Sequence, residues 1–232
     1  MEDNDLKQYE KEEHIDYVRK VLGIVSVQMT FTFVLCILAS ASAGIGSFFK
    51  HPMTLVFAVM LLICCACTIF ISKEYRTRVP LNYVLLAGAT LGEAFFLAAV
   101  AADLKEASVF GCIMATCFAV GGLFLASLKT ASSMNREQLV SNMVTAMIGT
   151  LILHIIVIVV FMFGFGIKDK ALVLGISCLM LVISGAYVMF ALLFIIVPGL
   201  EDKDDYILGA LRLYLEIARL FYWMMKILGE KK

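Results

Sequence analysis

The chain has little charge for its length. Asp, Glu, Lys and Arg make up 16% of its 232 residues, whereas hydrophobic residues make up 62%. Soluble domains are closer to half apolar and a quarter charged, so this composition indicates a membrane protein. The 19 basic and 19 acidic residues cancel, which removes the bulk attraction for nucleic acid that an excess of basic charge provides.

Cysteine is absent from the polar segments. All seven cysteines lie inside apolar runs, which argues against a disulfide framework. Cys64, Cys65 and Cys67 form a cluster, but no second group of Cys or His complements it as a structural metal site requires. We therefore interpret these cysteines as small packing residues, and we expect no bound metal or other cofactor.

Motifs of catalysis are also missing. The sequence contains no G-x-S-x-G, no H-E-x-x-H and no P-loop, and its apolar runs lack the paired acids, Ser/His or zinc ligands of an intramembrane protease. A retinal protein needs a lysine in the middle of its last span, whereas Lys226 lies at the end of the last apolar run. The Asp-Arg-Tyr and Asn-Pro-x-x-Tyr motifs of G-protein-coupled receptors are missing too. We expect no enzymatic activity.

Long apolar runs are what the sequence does contain. Seven of them approach the length of about 20 residues that a helix needs to cross a bilayer. The sequence predicts an all-α integral membrane protein with a bundle of seven transmembrane helices over 21–228, a polar cytosolic N-terminal tail over 1–20 and a short C-terminal tail over 229–232. The predicted spans are 21–43, 53–72, 81–102, 107–128, 143–164, 171–197 and 207–228.

The distribution of Lys and Arg predicts how this bundle is oriented in the membrane. They are more frequent in the N-terminal segment and in the loops on its side of the membrane, which predicts a cytosolic N-terminus. The polar start and the long first apolar run also lead us to expect no cleaved signal peptide. Seven spans place the C-terminus on the opposite side, whereas a re-entrant last segment would return it to the cytosolic side.

Several residues are typical of helix ends. Pro52 suits a helix start, Pro198 and Gly199 a helix end, and Asp204 and Asp205 are placed to cap the last helix.

Small residues at every fourth position mark places where helix backbones approach. Gly88 and Gly92 form such a stripe in the third span, and Gly111, Ala115 and Ala119 form another in the fourth.

Charged residues interrupt the last apolar run. Arg212, Glu216 and Arg219 fall within about 60° of one another on a helix, so they share one face. Charge in hydrocarbon costs several kcal/mol unless it faces a partner, water or the bundle interior. The stripe is therefore either a functional site or a buried ion-pair cluster that only orients the helix. Two flanking arginines lie within ion-pair reach of Glu216, and we predict a contact with one or both.

Two further titratable residues lie inside spans. Glu93, in the third span, has no basic neighbour along its own helix, so its partner must come from another helix or from water. His154, in the fifth span, is either a hydrogen-bond donor between helices or a proton relay.

Three stretches resemble the transmembrane Bax inhibitor motif family, in particular its Lifeguard branch. The C-terminal stretch is the most specific, and the likeness covers nearly the whole chain. The stretches are VRKVL at 18–22 with Gln28, RVPLNY at 78–83 with TLGEA at 90–94, and DYILGAL at 205–211 with LYLEI at 213–217 and LF at 220–221.

The resemblance implies a compact bundle around a central seventh helix. It also implies calcium leak across an endomembrane, of the endoplasmic reticulum or Golgi, with the plasma membrane as the alternative, and in eukaryotes damped cell death. The expected partners are the lipid bilayer, calcium ions and other membrane proteins. Glu216 matches the acid of the family's seventh span, whereas the acid of its sixth span has no match in 189–197.

The leading function is thus a calcium leak channel or a regulator of intracellular calcium. Glu216 and Glu93 are the predicted acids of the ion pathway or gate, and Arg212, Arg219 and Arg78 the predicted latches that pair with them. The alternative is a non-conducting scaffold that acts through protein partners. A proton-coupled transporter is a third class.

Overall fold

The computed structural model describes residues 2–163, 170–200 and 205–232. Over these residues the chain forms nine helices. Their bounds are α1 Glu2–Ala41, α2 Ala43–Lys50, α3 Pro52–Ile71, α4 Lys73–Thr77, α5 Leu81–Ala101, α6 Glu106–Ser133, α7 Arg136–Phe163, α8 Lys170–Ile196 and α9 Tyr206–Leu228.

The segment predicted to be a polar N-terminal tail is helical and continuous with the first span. From Glu2 onward it forms the first half of α1, a single helix of 40 residues. Neither proline nor glycine occurs before Gly23, so nothing in this stretch interrupts the backbone hydrogen bonds. At about 1.5 Å per residue α1 is about 60 Å long, twice the hydrocarbon thickness of about 30 Å.

Six of the described helices are long and apolar enough to cross a membrane, and the protein is an integral multi-pass membrane protein. The helix α9 is not among the six, because its charged residues interrupt its apolar run. The six candidate spans are Glu12–Ala41, Pro52–Ile71, Leu81–Ala101, Glu106–Ser133, Glu137–Ile156 and Val173–Ile196.

The charged helix α9 nevertheless occupies the centre of the bundle. It packs against α1, α3, α5, α6 and α8. Side chains along its whole length are buried, among them Ile207, Leu211, Tyr214, Phe221 and Met225. Five of the long helices therefore surround it, whereas α7 packs mainly against α8; the central position of α9 is the one that the family resemblance implies.

Both ends of α9 are fixed at opposite ends of the bundle, one to α4 and the other to the loop before α6. At its start, Asp205 occupies the N-cap position but does not cap the helix as we predicted. Its carboxylate instead pairs with Arg76 at 2.6 Å; Asp204 lies outside the described residues. Beyond the other end, the backbone N–H of Lys105 donates to the carbonyl of Glu230 at 2.9 Å, beside an isolated antiparallel bridge between Leu104 and Lys231. The helix thus runs from one face of the bundle to the other.

The helices α3 and α5 approach closely at the predicted glycines. A Cβ atom added at Gly92 would lie 2.6 Å from the carbonyl oxygen of Ala58 and 2.7 Å from the backbone nitrogen of Leu62. At Gly88 it would lie 2.6 Å from Sγ of Cys65. The prediction of a close contact at Gly88 and Gly92 is confirmed.

The prediction for Gly111 is wrong. No atom of the described residues lies within 4 Å of a Cβ placed there, and Gly111 is exposed. The helix α6 packs through the neighbouring face that carries Val109, Cys112 and Ile113. Composition alone cannot reveal this, because in a membrane the lipid-facing and helix-facing sides are equally apolar.

We predict that Gly92→Ala lowers the melting temperature of the purified protein in detergent. The added methyl group meets backbone atoms that cannot rotate away, and such overpacking costs about 1–3 kcal/mol. Gly111→Ala is the matched control, since it adds the same methyl group to open space and removes a helix-disfavouring glycine. Equal melting temperatures for the two variants would contradict the close contact.

Candidate functional site

A polar network ties α9 to its neighbours inside the bundle. The hydroxyl groups of Tyr214 and Thr32 are 2.9 Å apart, and the Tyr214 hydroxyl donates to the carbonyl of Thr90 at 3.3 Å. The amide of Gln28 donates to the hydroxyl of Thr90 at 2.6 Å. All four residues are buried. Because unpaired polar groups are costly in hydrocarbon, these bonds fix the rotation of α9 relative to α1 and α5.

That rotation leaves one face of α9 less buried than the rest. Seven partly buried positions fall within about 120° at 100° per residue and follow the helix from end to end, whereas the partly buried Tyr206, Met224 and Ile227 lie outside this arc. Three of the four charged side chains of α9 are among the seven, and the fourth, Lys226, is exposed at the C-terminal end of the same face. This charged face comprises Leu208, Arg212, Leu215, Glu216, Arg219, Tyr222, Trp223 and Lys226.

Glu216 is paired in this structure. The guanidinium of Arg219 donates to Oε2 of Glu216 at 2.9 Å, so the expected contact with a flanking arginine is present. The side chain of Arg219 is 41% exposed and that of Glu216 only 16%. The cation therefore lies nearer the opening of the charged face, and the carboxylate lies behind it.

Arg219 brings together titratable residues from three helices. It lies within electrostatic range of Glu93 of α5 and of His154 of α7, in addition to the ion pair with Glu216. Its guanidinium also lies over the ring of Tyr187 in α8, 5.8 Å from the centroid. The His154 ring contacts the same tyrosine, with centroids 6.3 Å apart. The two predicted pathway acids thus lie around one arginine.

The charged face lies between α5 and α8. Tyr222 of this face stacks on Phe96 of α5, Arg219 lies over a ring of α8, and the described residues of α5 and α8 form no packed interface with each other. Along the α8 side, Arg212 lies over the ring of Phe194 at 5.3 Å. Placing a guanidinium over a ring partly compensates the loss of water around it.

The short helix α4 contributes a different arginine from the one predicted. Arg78 is exposed, whereas Arg76 forms the ion pair with Asp205 described above. Side-chain exposures of 15% for Arg76 and 7% for Asp205 make this a buried pair at the end of α9.

A family model described as inhibitor of apoptosis-promoting Bax1 matches residues 14–232. The chain belongs to this family. The match covers nearly the whole chain and includes every residue of the charged face. Membership is consistent with a membrane protein related to cell death. A search of curated proteins finds no match.

Within this Bax inhibitor family member, sequence reasoning missed Arg76, Tyr187 and Tyr214 as parts of the site. Arg76 is one of three basic residues in a short loop, and spacing alone does not show which of them faces α9. Tyr187 and Tyr214 are aromatic residues in apolar runs, where an aromatic side chain is expected for packing alone. Only the helix arrangement shows that Tyr214 bonds across to α1 and that Tyr187 lies under Arg219.

We predict that Arg76→Gln destabilises the protein by about 3–5 kcal/mol, since it leaves the Asp205 carboxylate buried without its cation. Arg19→Gln is the matched control, because Arg19 pairs with Asp16 at 3.0 Å but both side chains are exposed, at 76% and 61%. Such a surface pair contributes about 0–1 kcal/mol. Thermal unfolding in detergent measures both, and a control that loses as much stability as Arg76→Gln would contradict the role of burial.

Proposed function

We propose that α9 is a seventh membrane span and that the two chain termini lie on opposite sides of the membrane, with the N-terminus in the cytosol. The contacts of Asp205 at one end of α9 and of Glu230 beyond the other support this topology. A re-entrant segment would return to the face it left, whereas these two contacts lie at opposite ends of the bundle.

Glu10→Cys and Glu230→Cys test this topology in sealed vesicles or intact cells. The cytosolic side should give a membrane-impermeant maleimide access to position 10 and no access to position 230. The unmodified chain is the control, because its cysteines lie in apolar runs. Labelling of both positions from one side would contradict a seventh span.

We further propose that the protein is a calcium leak channel or a regulator of intracellular calcium in an endomembrane, linked to stress and cell-death control. The observation that carries this proposal is the charged face of α9, on which Glu216 pairs with Arg219 at 2.9 Å inside the bundle; Glu93 of α5 is the second acid of the proposed pathway. Ionisable residues inside membrane spans mark ion pathways more often than they serve packing. Carboxylate oxygens are also the ligands that calcium prefers.

The ion pair makes this arrangement a closed state in our proposal. Arg219 neutralises Glu216 and lies nearer the opening, so a cation approaching the face meets the guanidinium first. Conduction then requires Arg219 to leave Glu216. Arg212 would hold the same acid from the other side, and Glu93 supplies the second carboxylate in place of the missing sixth-span acid. Passage of an ion forms and breaks no covalent bond, so the proposal needs neither a catalytic residue nor a cofactor.

The alternative is a non-conducting scaffold that acts through membrane-protein partners. The observation that favours it is that Arg219 already has both a carboxylate and an aromatic ring as neighbours, which is enough for a purely structural cluster. The two functions differ in one measurable respect, because only a channel passes calcium without a partner.

Calcium flux into liposomes that contain the purified protein separates the two. We expect Arg219→Gln to raise the flux about tenfold, since loss of one ion pair of about 1.4 kcal/mol changes an equilibrium by that factor. Glu216→Gln should lower the flux by removing the carboxylate. Asp16→Asn is the control on the exposed surface of α1 and should leave flux unchanged. Flux that never exceeds that of protein-free liposomes would favour the scaffold.

A further inference from the structure

A cavity of about 430 Å³ opens between α3, α5 and α9 at the end of the bundle that carries the C-terminal residues. Its walls toward the membrane interior are apolar and come from Leu55, Phe96, Ala99 and Val100. The ring of Phe96 stacks on Tyr222, with centroids 5.9 Å apart, which fixes this wall to α9.

The rim of the same cavity is cationic. Three lysines line it, Lys50, Lys226 and Lys231, and Asp103 is the single acid among the described lining residues. Lys50 donates to Asp103 at 2.9 Å, so the charges of these two residues cancel. Lys226 lies over the Tyr222 ring at 5.3 Å rather than beside a carboxylate. The rim thus has an excess of two positive charges.

The C-terminal residues hold this rim in place. The backbone N–H of Lys232 donates to the carbonyl of Asp103 at 3.1 Å, and Nζ of Lys105 pairs with the carboxylate of Glu230 at 2.8 Å. Lys105 also holds the pKa of that exposed carboxyl below its usual range. Lys231 lies between these two anchors, so its place in the lining of this cavity is set by the fold and not by a free tail.

We propose that this cavity binds an anionic phospholipid, with the phosphate at Lys226 and Lys231 and one acyl chain along Leu55, Phe96 and Val100. The site combines the two features that such a lipid recognises, ammonium groups at the level of the helix ends and an apolar wall below them. Basic pockets between transmembrane helices bind anionic headgroups in this way. A zwitterionic lipid would leave the excess charge uncompensated, and a free anion would leave the apolar walls uncovered. The inference is independent of calcium flux.

The test compares how two lipids bind to the full-length protein in detergent. Phosphatidylglycerol should raise the melting temperature and remain bound in native mass spectrometry, whereas phosphatidylcholine of the same chain length should do neither. The double variant Lys226→Gln/Lys231→Gln should weaken phosphatidylglycerol binding about tenfold to thirtyfold, since each lysine near an anionic lipid contributes about 1 kcal/mol.

Lys20→Gln/Lys129→Gln is the matched control at the other end of the bundle. It removes the same charge, and Lys20 also lies over a tyrosine ring, that of Tyr206, at 5.8 Å. This control should bind phosphatidylglycerol as the unmodified chain does. Equal losses in both double variants would show nonspecific attraction and overturn the proposal.

Two further experiments distinguish a bound lipid from a free anion. Inorganic phosphate at millimolar concentration should neither stabilise the protein nor displace phosphatidylglycerol, and displacement would show a free-anion site and overturn the lipid proposal. Val100→Phe fills the apolar wall and keeps every lysine. It should weaken phosphatidylglycerol binding while the lipid-free melting temperature stays within a few degrees, and undiminished binding by this folded variant would overturn the acyl-chain part.

Discussion

Removing a charge from water into hydrocarbon costs several kcal/mol, and α9 carries Arg212, Glu216 and Arg219 in its middle. Several features of the bundle reduce that cost. The five surrounding helices keep these charges from the lipid on most sides, Arg219 neutralises Glu216, and aromatic rings of α8 lie beneath the two arginines. One charged face remains less buried than the rest of the helix.

The polar contacts that hold α9 are distributed along its whole length. At one end a buried ion pair with Arg76 holds Asp205, in the middle Tyr214 bonds to Thr32 and to the Thr90 carbonyl, and past the other end the chain pairs with the loop between α5 and α6. Such contacts are specific in a way that apolar packing in a membrane is not, because lipid chains compete with apolar side chains and not with hydrogen bonds. Rotation of α9 therefore has to break this ion pair and these hydrogen bonds.

Much of this fold could be predicted from the sequence, since span lengths follow from hydropathy and the approach of α3 to α5 follows from Gly88 and Gly92. The shared face of Arg212, Glu216 and Arg219 also follows, because helical spacing is local. The convergence of Glu93 and His154 on Arg219 does not follow, because it depends on how α5 and α7 pack around α9. The same reason explains why Arg76 rather than Arg78 reaches Asp205, and why Gly111 faces away from its neighbours.

The length of α1 has a mechanical consequence. This 40-residue helix begins ten residues before its candidate span and continues without a break to Thr32, which bonds to Tyr214. An uninterrupted helix resists twisting, because every turn is held by backbone hydrogen bonds. A rotation of the N-terminal turns of α1 therefore also moves Thr32 and strains its hydrogen bond to α9. The start of the chain and the buried centre of the bundle are in this way mechanically coupled.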